Sequence, residues 1–61
     1  MPNLTQKELM ALENSLNEEQ LLVKKFRNYA MTAQDQQIKN AAEQLADRHK
    51  QHYETLMGHL Y

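Results

Sequence analysis

The chain has 61 residues, with seven basic and eight acidic side chains, a formal net charge of −1 and no cysteine. Without cysteine there are no disulfides or thiolate metal sites, and without a concentrated basic field there is no nucleic-acid surface. A chain this short hides only roughly 60% of the surface its unfolded form exposes, so a bound metal or a partner subunit is the remaining route to a stable fold.

The opening Met1-Pro2-Asn3-Leu4 has neither a basic stretch nor an apolar run, and nothing downstream approaches the ~20 apolar residues of a membrane span. A cytoplasmic chain with no export signal and no membrane contact is expected. Pro2 precedes the first helix. Thr5-Gln6-Lys7-Glu8 has the Ser/Thr-x-x-Glu form of a capping box, which starts a helix near Gln6. Its seam runs Leu9, Leu12, Leu16, Glu19, Val23, Phe26, Ala30, Ala33, and Glu19 is the one charged member. Gln34 and Asp35 interrupt the pattern, and Asp35 is a suitable N-cap for a second helix from Gln36. The second seam reads Ile38, Ala42, Leu45, His49, His52, Leu56, His59, with two imidazoles at its centre. Gly58 is expected to end it as a left-handed C-cap, with Leu60 and Tyr61 packing beyond. The expected fold is all-α: one unit, 1–61, forming an antiparallel two-helix hairpin over about 6–33 and 36–58.

A turn centred between Gln34 and Asp35 places residues at equal height when their numbers sum to roughly 69. Glu19 then lies opposite position 50, straddled by His49 and His52. Phe26 faces Ala42, Val23 faces Leu45 and Ala46, and Leu12 faces Leu56 and Met57. Leu22 and Tyr29 widen the first stripe, and Ala46, Tyr53 and Leu60 widen the second, giving the three-in-seven face of a bundle. One hairpin cannot cover both flanks, so a homodimer forming a four-helix bundle is expected. Met10, Leu21 and Met31 fall outside the stripe as scattered surface residues or a weaker contact face. Lys24, Lys25 and Arg27 read as a solvated face.

The capping box, the segment Glu18-Glu19-Gln20-Leu21-Leu22-Val23-Lys24-Lys25-Phe26, the Tyr29-Ala30 pair and the closing His49-Lys50-Gln51-His52-Tyr53-Glu54 resemble the small spore coat proteins of the Coat F group. These sit among the ferritin-like helical proteins. The resemblance implies a ferritin-like bundle, a spore-coat location, a structural role in sporulation and other coat proteins as partners. Ferritin-like metal sites set a Glu on one helix against a Glu-x-x-His on its neighbour. Glu19 matches the lone Glu, but His49-x-x-His52 carries His where the pattern has Glu, so a carboxylate-bridged di-iron centre is not expected.

Glu19, His49 and His52 are the candidate site, and two readings of them stay open. Two imidazoles one turn apart with a facing carboxylate suit zinc, iron, manganese or another divalent ion. The same residues can instead form a buried polar layer that fixes register, with Tyr53 or Gln20 completing the hydrogen bonds. Glu19 stands at the midpoint of the first helix, so a two-fold axis through the bundle centre would bring both copies to one layer. His59, in the last turn, reads as a helix-end cation rather than a ligand. Tyr29 and Tyr53 read as packing residues. With no phosphate loop, no nucleophile set and little room for a pocket, no enzyme is expected; the alternative to a structural protein is a small metal-binding bundle with a redox role.

Overall fold

In the computed structural model residues 3–60 are described, so the readings of Met1, Pro2 and Tyr61 lie outside them. Two helices account for nearly all of this span: α1, Gln6–Thr32, and α2, Gln36–Met57. They pack against each other as a hairpin 46 Å long, 14 Å wide and 11 Å thick, a single layer with two broad faces. No strand occurs among the described residues, and no helix is long and apolar enough to cross a membrane.

Local chemistry sets the helix ends. The Glu8 amide donates to Thr5 Oγ1 at 3.1 Å while the Thr5 amide donates to Glu8 Oε1 at 3.0 Å, closing the capping box in both directions. The Thr5 amide, and after it the Thr5 hydroxyl, hold the Glu8 carboxyl below its ordinary value of 4.5. Because the folded-state value is lowered, the stabilisation is complete above the ordinary value and is lost as pH falls through the lowered one. Acidification should therefore fray the first turn of α1 before the hairpin melts. Amide exchange at Gln6 to Leu9 should rise below about pH 4.5 while exchange at the centre of α1 does not; simultaneous loss at both would contradict the assignment.

At the other end, the Ala33 amide still reaches Tyr29 O at 2.9 Å, but its own backbone is extended, φ −67° and ψ 141°, which ends α1. Asp35 caps α2 by accepting from the amides of Gln37 and Ile38 at 2.7 and 3.2 Å. Gly58 departs from the left-handed cap expected of it. Its φ of −61° and ψ of −20° are right-handed, and the chain tightens into a last turn in which the His59 and Leu60 amides reach Leu56 O and Met57 O at 3.0 Å. No conformation special to glycine is used there.

The interhelical contact is centred on small residues. Ala46 is fully buried, and with Leu16 and Ala42 it makes up the whole buried set among the described residues. The seam expected in α2 is therefore rotated: Ala46 moves from flank to centre, while Ile38, expected in the seam, is 56% exposed. Alanine at 42 and 46 lets the backbones approach closely, and the larger side chains go to the sides.

The two broad faces differ in character. At 100° per residue, Ser15, Glu19, Leu22, Phe26 and Tyr29 of α1 turn to the same side as Ile38, Leu45, His49, His52 and Leu56 of α2. An apolar groove on this side, near the turn, is lined by Phe26, Tyr29, Ala33, Ile38, Ala41 and Leu45. On the opposite face lie Gln20, Lys24, Arg27 and Lys50, lining a groove with Val23 and Tyr53. There Gln20 Nε2 donates to Tyr53 Oη at 3.2 Å, and Arg27 stands 3.7 Å from Asp47 in an exposed pair that contributes little. Of the residues expected to widen the stripes, Leu22 and Tyr29 turn to the first face and Tyr53 to the second.

Candidate functional site

Glu19 sits at the centre of α1, thirteen residues from either end, and α2 brings His49 and His52 to it. His49 Nδ1 lies 2.9 Å from Glu19 Oε2, and His52 Nδ1 lies 3.5 Å from the same oxygen. A carboxylate can only accept, so the proton of the shorter bond resides on His49 Nδ1. One ligand atom from each of the three residues falls within 4.8 Å of the other two. The expected trio is therefore gathered at one point.

The sequence spacing explains how two imidazoles reach one oxygen. His49 and His52 are three residues apart and stand on one flank of α2, one turn above the other. Their rings meet edge to face, with centroids 5.4 Å apart and planes at 87°. Phe26 covers His49 from α1, its ring parallel within 5° at a centroid distance of 5.7 Å. Tyr29 meets the edge of Phe26 at 6.2 Å. One wall of the site is thus an aromatic stack that fixes the His49 ring.

Phe26 was not among the residues singled out for the site, because equal height in the hairpin pairs it with Ala42. The missing signal is the lean of the side chains. Each Cα–Cβ bond tilts toward the N-terminus of its own helix. In an antiparallel pair that tilt makes residues meet whose numbers sum to slightly more than the backbone register of roughly 69. The Glu19 contacts to His49 and His52, the Gln20–Tyr53 bond and the Phe26–His49 stack scatter about that offset.

The site is half enclosed. The side chains of Glu19 and His49 are 17% and 20% exposed, whereas His52 is 52% exposed. Beyond His52 a groove lined by Ser15, Glu18, Glu19, Thr55 and Leu56 opens on the apolar face of the hairpin. Tyr53 and Gln20, expected to complete the polar layer, bond each other on the opposite face instead. His59 is exposed and lies outside the trio.

The donor set does not fit a carboxylate-bridged di-iron centre. Position 49 supplies an imidazole where a bridging carboxylate would be needed, and Glu19 is the one carboxylate in the cluster among the described residues. Compared with known proteins, the chain matches no family model, no curated protein and no solved structure.

Proposed function

We propose that this chain is a non-catalytic structural protein that works as a homodimer, a ferritin-like four-helix bundle made by joining two hairpins through their apolar faces. The observation that carries this reading is the exposed apolar surface around the groove at Tyr29 and Ile38. Tyr29 and Ile38 stand 45% and 56% exposed on the same face as Leu22, Phe26, Leu45 and Leu56, whereas on the other face Val23 and Tyr53 are set among Gln20, Lys24, Arg27 and Lys50.

Surface area supports it. The hairpin exposes 5009 Å², whereas a compact monomer of its 7.2 kDa mass would expose about 4,100 Å². The excess is close to the about 800 Å² that each partner contributes to a stable interface. With Glu19 at the midpoint of α1, a two-fold axis perpendicular to the helices sets the two Glu19/His49/His52 clusters in one layer at the middle of the interface. A polar centre within an apolar surface selects one orientation and one register. The resemblance to Coat F proteins supplies the setting: a spore coat, where a small dimer with a polar outer surface would assemble with other coat proteins.

A dimer whose folding is completed by association melts at a temperature that depends on concentration. The melting temperature should climb steadily between about 5 and 500 μM protein in the presence of chelator. A cooperative melt at one fixed temperature across that range would contradict the reading.

A further inference from the structure

We propose that Glu19, His49 and His52 bind one divalent first-row transition-metal ion of the zinc type per chain, through Glu19 Oε2 and the two Nδ1 atoms. The distances favour it. Metal–ligand bonds of about 2.0–2.1 Å at tetrahedral angles put ligand atoms about 3.3 Å apart. The two separations from Glu19 Oε2, 2.9 and 3.5 Å, bracket that value. With all three ligand atoms within 4.8 Å of one another, rotation of the side chains brings them around one ion.

The chemistry favours it as well. Two imidazoles and one carboxylate form a borderline donor set that suits zinc, iron, cobalt or nickel over calcium or magnesium, which prefer all-oxygen shells. Three protein ligands leave at least one coordination position free, and the groove along Ser15, Glu18 and Thr55 gives that position access to water. The aromatic stack of Phe26 on His49 holds one ligand ring in place before the ion arrives. Binding requires each ligating imidazole to carry its proton on Nε2, because Nδ1 must give its lone pair to the metal.

The site lies within one protomer and needs no second copy, so its test is independent of the dimer. Zn²⁺ is titrated into the chelator-stripped full chain by calorimetry, and Co²⁺ into a second sample by visible absorption. One Zn²⁺ per chain should bind, with ligand-field bands for Co²⁺ and, in nitrogen-detected spectra, the ring protons of His49 and His52 both on Nε2. Glu19→Gln and His52→Ala, each confirmed as helical by circular dichroism, should weaken Zn²⁺ by more than the about tenfold lost with an outer hydrogen bond. His59→Ala, outside the trio, should bind as the parent does. Absence of saturable Zn²⁺ binding would overturn the site while leaving a chelator-resistant dimer intact. Equal affinity in parent, Glu19→Gln and His52→Ala would also overturn it, since the ion would then sit elsewhere.

Discussion

Ala46→Leu is expected to lower the melting temperature by more than 10 °C, about the shift that a loss of 2 kcal/mol produces in a domain this small. Ala46 has no exposed surface in the contact between the two helices, so an isobutyl group in place of its methyl has no space to enter. Overpacking of this kind costs about 1–3 kcal/mol. A core of this size supplies only about 3–5 kcal/mol in total, and three buried residues among those described leave little to compensate. Gln44→Leu, on the outward side of α2, places the same leucine at an exposed position and should stay within about 0.5 kcal/mol of the parent. Equal melting of the two variants would mean that the helices are not joined at Ala46.

Tyr29→Glu combined with Ile38→Glu is expected to separate the dimer. Burying a side chain of this kind completely is worth about 1.5–3 kcal/mol, and roughly half of each surface is still open in the single hairpin. Each substitution also counts twice across a two-fold axis. The dissociation constant should rise about a hundredfold or more, read by sedimentation velocity over a concentration series. Met10→Glu with Leu21→Glu places the same charge on the back of α1, at residues 55% and 66% exposed, and should leave association unchanged. A reversed pattern would move the interface to the other side of the hairpin.

The parts of the fold legible in the sequence are those set by short-range chemistry. Thr5 with Glu8 and Asp35 with the amides after it announce two helix starts, and both form within one residue of the expected position. The meeting of Glu19 with His49 and His52 was legible too, because a short connection leaves few registers open. What escaped is tertiary. Hydrophobic spacing cannot say which of several adjacent apolar positions becomes the centre of a contact, and here close approach selects Ala42 and Ala46 and displaces Ile38 and Tyr29 to the surface. Nor does spacing reveal how the overflow divides between the two faces. That division emerges only when both helices are placed together, with Gln20, Arg27, Asp47 and Tyr53 occupying the opposite side. Gly58 misled for a simpler reason: glycine permits a left-handed cap without requiring one.

A single polar cluster at the middle of an apolar face gives the two-part account its coherence. The face supplies the drive to associate, and the Glu19, His49 and His52 layer supplies the orientation, with or without an ion. The most direct test is the mass of the full chain in solution, measured by sedimentation equilibrium with chelator present so that no metal bridges the copies. A mass of twice 7.2 kDa across the micromolar range is the expected result. A folded, helical species of 7.2 kDa at the same concentrations would contradict the account.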